Sequence, residues 1–161
     1  MNITEISPTI AEIAVAIAGF SALIVVLRKN PIREWHAFDQ LNLRMLFQVA
    51  AVTIIFSIFP FGALVILDPH AAWRVSIFAY GLVHLLDVAS FLRSYPGVLK
   101  PLHRVAAGIG ILLSVFKLGF GLLASIDAIQ VLYLTTLIWH LVVSGIGFAS
   151  LLYLPGEGNV D

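Results

Sequence analysis

Five apolar segments, each long enough to cross a lipid bilayer, constrain this chain more than any other feature. A helix rises about 1.5 Å per residue, so about 20 apolar residues cross the hydrocarbon core. Backbone groups in lipid must bond within the segment, so such segments fold as helices. The sequence therefore predicts an all-α, polytopic integral membrane protein, with one transmembrane domain over residues 1–161. The predicted spans are about 9–27, 43–67, 72–92, 104–125 and 129–154.

Composition supports this class and argues against several others. Of the 161 residues, 60% are apolar and only 11% are charged, about half the charged fraction of a soluble domain. Basic and acidic residues cancel, nine against nine, so no surface for nucleic acid is expected. Cysteine is absent, which excludes disulfides, thiolate catalysis and cysteine-bound metals. The connections are too short for a soluble catalytic domain and carry no nucleotide-binding or nucleophile motif, so we expect no enzymatic activity.

Basic residues in the connections predict the orientation, because cytoplasmic connections are enriched in Lys and Arg. The second and fourth connections carry only Arg74. The first and third carry Arg28, Lys29, Arg33, Arg93, Lys100 and Arg104. We therefore expect the N-terminus outside and the C-terminus cytoplasmic, in the cell membrane, which is the inner membrane if the chain comes from a Gram-negative bacterium. The first residues lack the basic region of a signal peptide, so the first span is expected to be retained.

Spans two to five show a weak internal repeat at a separation of 59 or 60 residues. The matched positions are Arg44 with Arg104, Phe61-Gly62 with Phe120-Gly121, Asp68 with Asp127, and Pro96-Gly97 with Pro155-Gly156. We interpret this pattern as two helical hairpins, 43–97 and 103–156, repeated in parallel behind one additional helix. Weak internal symmetry of this kind is common in transport proteins.

Polar and ionisable side chains inside the apolar spans are the candidate functional residues. His84 and Asp87 lie three residues apart on span three, so they share one helical face. Ionisable groups at membrane depth are costly, which makes each a functional hypothesis. Depths counted from the helix ends predict three layers: Glu12 with Lys117, His84 with His140, and Arg44 with Asp87. Supporting polar residues on these helices are Gln48, Tyr80, Ser114, Thr136 and Ser144.

The two histidines allow more than one function. A pair of imidazoles at one depth could relay protons, since imidazole changes charge near physiological pH. The same pair, His84 and His140, could ligate a b-type haem from both sides if they face each other across a gap. With Asp87 they could form a metal site, although no ligand-spacing motif supports one. Finally, the polar layers could act only as assembly contacts between helices.

The sequence favours an oligomeric channel or transporter for protons or small ions. The residues expected along its path are His84, Asp87, His140, Lys117 and Glu12. A bundle of this size leaves little room for a path within one chain. We therefore expect a homo-oligomer in the lipid bilayer, with the small residues of span one or span four at the contact between chains. The alternatives are a haem-binding or metal-binding membrane redox protein and a non-transporting membrane partner or effector subunit. The transported ion is not specified.

Overall fold

The computed structural model describes residues 3–28, 30–94 and 97–153. The five α-helices are α1 (Ile3–Leu27), α2 (Ala37–Ile66), α3 (Pro69–Ser94), α4 (Pro101–Leu123) and α5 (Ile126–Tyr153). One turn of 3-10 helix, Ile32–Glu34, lies between α1 and α2. Each α-helix is long and apolar enough to cross a membrane. The predicted all-helical fold with five helices of membrane-spanning length is confirmed.

The helices extend beyond several of the predicted spans. α2 begins at Ala37, well before the predicted start at 43, because its polar first turns are buried. Asp39 in the first turn accepts a hydrogen bond of 2.8 Å from Arg28 at the end of α1. Hydropathy alone excluded this polar segment from the span. The predicted end of span five at 154 and the Pro155-Gly156 match of the repeat lie outside the described residues.

Side-chain contacts explain where α3 begins and where α4 ends. The Asp68 carboxylate accepts hydrogen bonds from the backbone N–H groups of His70 and Ala71, at 3.0 and 3.1 Å, which satisfies donors at the start of α3. Arg74 donates to the carbonyl oxygens of Gly121 and Leu122, at 3.1 and 2.6 Å. A side chain of α3 thus satisfies the last carbonyls of α4.

Four helices, α2 to α5, surround the interior of the bundle, and α1 packs outside them against α2 and α5. The most extensive packing joins α3 to α4 and α2 to α5. The largest group of buried apolar side chains, here called the apolar core, is formed by Ile10, Val52, Phe56, Trp73, Ile77, Tyr80, Ile129, Tyr133, Leu134 and Leu137. It fills the half of the bundle in which α3 and α5 begin.

Arg28 fixes α1 to the rest of the bundle. Its guanidinium donates to Asp39 of α2, donates at 3.2 Å to the carbonyl oxygen of Leu151 in α5, and lies 4.3 Å from the ring centre of Trp35. The Trp35 indole in turn donates to the carbonyl oxygen of Asn30 at 2.8 Å. One side chain therefore links the end of α1, the start of α2 and the end of α5.

The small residues of α4 face α3. A Cβ added at Gly121 would lie 3.1 Å from Ile77 Cγ2, and one at Gly110 would lie 3.0 Å from Val88 Cγ2. Such distances are shorter than ordinary carbon contacts, so glycine is what allows the two helices to approach this closely. The small-residue face of α4, which the sequence placed at a contact between chains, is used inside the chain.

Two glycines of α4 provide a matched test of this packing. Gly121→Val should lower the free energy of unfolding by about 1–3 kcal/mol relative to Gly119→Val, because overpacking forces neighbouring helices apart. A Cβ at Gly119 meets no atom within 4 Å, so the control makes the same change in helix propensity without the clash. Denaturant titration in mixed micelles measures the difference. Equal stabilities for the two variants would contradict the close α3–α4 contact.

Candidate functional site

Four buried polar side chains meet at the centre of the bundle and are here called the histidine cluster: Tyr80 and His84 of α3, Lys117 of α4 and His140 of α5. Lys117 Nζ lies 2.9 Å from His84 Nδ1, and Tyr80 Oη lies 2.8 Å from His140 Nδ1. The two imidazole rings are edge to face, with centroids 4.3 Å apart. All four side chains are at most 3% exposed. The structure therefore brings His84 and His140 into one layer and adds Lys117 and Tyr80 to it.

Lys117 is held by a histidine and an aromatic ring. Its Nζ lies 3.6 Å from the centre of the Tyr80 ring, a favourable position for a cation on a π-face. Among the described residues, no carboxylate lies within ion-pair distance of Nζ. The expected pairing of Lys117 with Glu12 is therefore wrong: Glu12 is exposed on α1, which packs against α2 and α5. Residue counts gave the depth of both side chains but not the direction in which each faces.

Hydrogen-bonding capacity assigns the positions of the imidazole protons. When Lys117 is protonated it can only donate, so in that state it donates to His84 Nδ1 and the hydrogen of His84 is on Nε2. The Tyr80 hydroxyl is fully buried, and His140 Nδ1 is its one hydrogen-bond partner among the described residues. Tyr80 therefore donates to Nδ1, which places the hydrogen of His140 on Nε2. That Nε2 is buried and has no partner in the described part of the chain.

A second set of side chains, here called the arginine network, links α2 and α3. Arg44 Nε donates to Gln48 Oε1 at 3.1 Å, and Gln48 Nε2 donates to Asp87 Oδ1. Arg44 Nη2 also donates to Ser90 Oγ at 3.0 Å. The predicted layer of Arg44 and Asp87 is present, with Gln48 connecting the two charged groups.

A cavity of about 40 Å³ lies between the histidine cluster and the arginine network. His84 and His140 line it from the cluster, and Gln48 and Asp87 line it from the network. The remaining wall is formed by Met45, Val49, Val88, Phe91, His103, Ala106, Ala107, Trp139 and Val143. Every helix of the inner four contributes to this wall, so the cavity is lined by four helices of one chain.

One polar pair beside this cavity was not predicted from the sequence. His103 Nε2 lies 3.0 Å from Asn42 Oδ1, and both residues are buried. His103 Nδ1 and Asn42 Nδ2 have no partner among the described residues. Asn42 and His103 each lie one position before the predicted start of a span, at residues 43 and 104 respectively. Neither was therefore counted as a membrane residue. Their separation of 61, close to the period of the repeat, is the signal that could have found them.

The supporting polar residues on α4 and α5 serve their own helices. Ser114 and Thr136 each donate at 2.8 Å to the backbone carbonyl four residues earlier, a local bond that satisfies a buried hydroxyl. Ser144 is buried, and its hydroxyl has no partner among the described residues. These three hydroxyls do not bond to the histidine cluster.

The geometry does not fit a haem or a metal. The His84 and His140 rings contact each other directly, which leaves no space for a planar porphyrin between them, and the cavity beside them is far smaller than a haem. Among the described residues, no group of three or more His, Asp or Glu side chains is arranged to hold a metal ion. His84, Asp87 and His140 therefore line one cavity without forming a ligand set.

Together the fold and the site define a class: a small helical bundle of membrane-spanning type with ionisable groups in its interior. No protein-family model, curated protein or solved structure matches this chain. What the protein does is therefore inferred from the chemistry of the histidine cluster and of the cavity beside it.

Two buried tyrosines test the assigned hydrogen bond. Tyr80→Phe and Tyr133→Phe should each lower the free energy of unfolding by about 1–3 kcal/mol, since each leaves a buried group without its partner. Tyr133 donates to the carbonyl oxygen of Phe56 at 2.7 Å, not to a histidine. Only Tyr80→Phe should therefore remove the hydrogen bond to His140 Nδ1 and shift the resonance of that nitrogen, which ¹⁵N NMR of labelled imidazoles detects. Unchanged His140 resonances in Tyr80→Phe would rule out the assignment.

Proposed function

We propose that this protein moves protons across a membrane through the interior of its α2–α5 bundle. The observation that carries the proposal is the histidine cluster itself, in which a lysine, two histidines and a tyrosine are buried and in contact beside a cavity. Burying ionisable groups at this depth is costly, and in membrane proteins such groups mark ion and proton paths. Imidazole both accepts and donates protons near neutral pH, as a relay requires.

The polar residues occupy one half of the bundle. Counted along α3 from Pro69, Tyr80 lies at a depth of about 16 Å and Asp87 at about 27 Å. Beyond Asp87, Arg44 and Ser90 extend the polar contacts toward the end of α3. In this proposal protons enter from that end, pass beside Arg44 and Gln48 to Asp87 and the cavity, and reach the histidine cluster.

The apolar core closes the other half of the path. Phe56 stacks on Tyr80 with ring centroids 4.5 Å apart, and Trp73 packs edge-on against Tyr133 at 5.7 Å. Protons therefore pass Tyr80 only when these rings rearrange. Such a barrier on one side of a central site is the arrangement that alternating access requires.

Protons suit this site better than metal cations. The Lys117 amino group is in the cluster and is positively charged whenever it is protonated, and no carboxylate of the described residues is close enough to neutralise that charge. A metal cation entering the cluster would meet this charge in surroundings of low dielectric constant. A hydrogen-bonded relay needs no such ion to pass.

The proposed path uses one chain only, because every residue that lines the cavity belongs to α2–α5 of the same chain. Homo-oligomerisation stays a prediction from the sequence and is not part of this mechanism. Glu12 is exposed on α1, outside the four inner helices, so we leave it out of the proposed path. Lys117, His84, His140 and Asp87 are retained.

The proposal includes the orientation and the repeat. At a separation of 60, Tyr80 corresponds to His140 and Trp73 to Tyr133, and the members of each pair are in contact. Residues beside a twofold axis contact their own equivalents. The repeat matches α2 with α4 and α3 with α5, so it also matches the α3–α4 contact with the α2–α5 contact. These two contacts are the most extensive in the bundle. These relations support a pseudo-twofold axis between α3 and α5.

Proton flux into proteoliposomes tests the proposed function. Under an imposed pH gradient and membrane potential, His84→Ala and Asp87→Asn should each reduce flux by about tenfold or more, because each interrupts a chain of intramembrane polar groups. The matched controls are His70→Ala and Asp127→Asn, which change exposed residues at helix starts. Both should retain the flux of the unchanged protein.

A folded wild-type protein that moves no protons in either direction, at any gradient, would overturn the proposal. In that case the polar layers would be assembly contacts, as expected for a non-transporting partner subunit. Size-exclusion chromatography and circular dichroism of each variant distinguish lost function from lost structure.

Labelling of single cysteines tests the orientation. The sequence has no Cys, so each variant needs one change. His70→Cys and Ser94→Cys lie at opposite ends of α3, and both positions are exposed. A membrane-impermeant maleimide should label His70→Cys in intact cells and Ser94→Cys only after permeabilisation, since basic connections stay in the cytoplasm. The reverse pattern would invert the proposed orientation.

A further inference from the structure

We propose that the cavity is a water-binding site whose water molecules connect His140 Nε2 to the Asp87 carboxylate. This inference extends the proposed function. The role of the water in proton transfer rests on that function. The binding of water itself depends only on the geometry of the cavity. The two parts can therefore be tested separately.

His140 provides the unpartnered group that a ligand would satisfy. Its Nε2 is buried without a partner in the described part of the chain, its side chain is 2% exposed, and the residue lines the cavity. Because Tyr80 occupies Nδ1, the remaining hydrogen of His140 is an N–H donor. A buried donor of this kind requires an acceptor, and ordered water is the usual one where protein supplies none.

The size and the wall of the cavity fit water. Its volume is about 40 Å³, whereas one water needs about 10–15 Å³ of such space. A buried water also needs two to four polar partners. Besides His140, the wall contains Asp87, Gln48 and His103, and His103 Nδ1 has no partner among the described residues. The rest of the wall is mainly apolar, so water here would bond to these groups and to other water.

Water at this site would join two networks that the protein leaves separate. On one side Lys117 bonds to His84, whose ring touches His140. On the other side Asp87 accepts from Gln48, which accepts from Arg44. A water that accepts from His140 Nε2–H and donates to the Asp87 carboxylate would place Tyr80 and His140 in one hydrogen-bonded chain with the arginine network. The Lys117–His84 pair touches this chain through the ring contact with His140. The proposed path would then be continuous from the centre of the bundle to the end of α3.

A cavity-filling substitution tests the inference. Ala107 lines the cavity from α4 and is buried, so Ala107→Val places two methyl groups where water would be. Ala89→Val makes the same change at an exposed position of α3 and is the matched control. Water-edited solid-state NMR of ¹⁵N-histidine protein in lipid measures magnetisation transfer from water to His140 Nε2. Proton flux is measured on the same samples.

Transfer from water to His140 is expected in the unchanged protein and in Ala89→Val. In Ala107→Val it should fall by about threefold or more as the space for water is lost, and flux should fall with it. If Ala107→Val does not fold, Val143→Leu, which fills the same cavity from α5, takes its place.

The possible failures are distinguishable. Absence of water transfer to His140 in the unchanged protein overturns this inference, whatever the flux. Flux that persists in Ala107→Val after the water signal is lost overturns the role of water but leaves the proposed function. Water at His140 together with no flux in any protein overturns the proposed function and retains the water site.

Discussion

The hydrogen bond between Lys117 and His84 is the interaction on which the interior of this bundle depends. A lysine side chain that is fully buried among apolar helices must bond within the protein, because lipid offers no partner. His84 Nδ1 is the hydrogen-bond partner of the Lys117 amino group, and the Tyr80 ring lies against that amino group. His140 is hydrogen-bonded to Tyr80 and in ring contact with His84. Gly110 contributes by its size, since a Cβ there would lie 3.2 Å from His84 Nε2. The close packing of α3 on α4 and the position of the histidine cluster therefore depend on the same arrangement of side chains.

That arrangement divides the bundle into two unlike halves. Toward the start of α3, aromatic and aliphatic side chains pack around Phe56, Trp73 and Tyr133. Toward its end, the cavity and the arginine network replace that packing. A polar interior of this kind stabilises a bundle only where each group is bonded, so it is informative that His140 Nε2, beside the cavity, has no partner among the described residues. The same groups that stabilise helix contacts are those that could carry protons, which is why function and stability must be measured together in every variant.

The haem hypothesis shows why contact geometry matters more than residue type. Two histidines at one depth on separate helices are what bis-histidine ligation and a proton relay both require. The distinction depends on the gap between the rings, and here the rings touch. With Tyr80 and Lys117 bonded to the Nδ1 atoms, both imidazoles are already held as members of a hydrogen-bonded cluster.

The sequence by itself determined the all-helical fold, the five helices of membrane-spanning length and the shared layer of His84 and His140, because hydropathy and helical rise are local properties of a chain. It misjudged where α2 and α4 begin, because the polar residues there are buried by tertiary contacts. It also paired Lys117 with Glu12, since depth does not specify the direction in which a side chain faces. Only the tertiary structure decided that α1 lies outside the inner four helices and that a cavity separates the two polar networks. Both depend on how helices rotate and pack against one another, and those contacts join residues far apart in sequence.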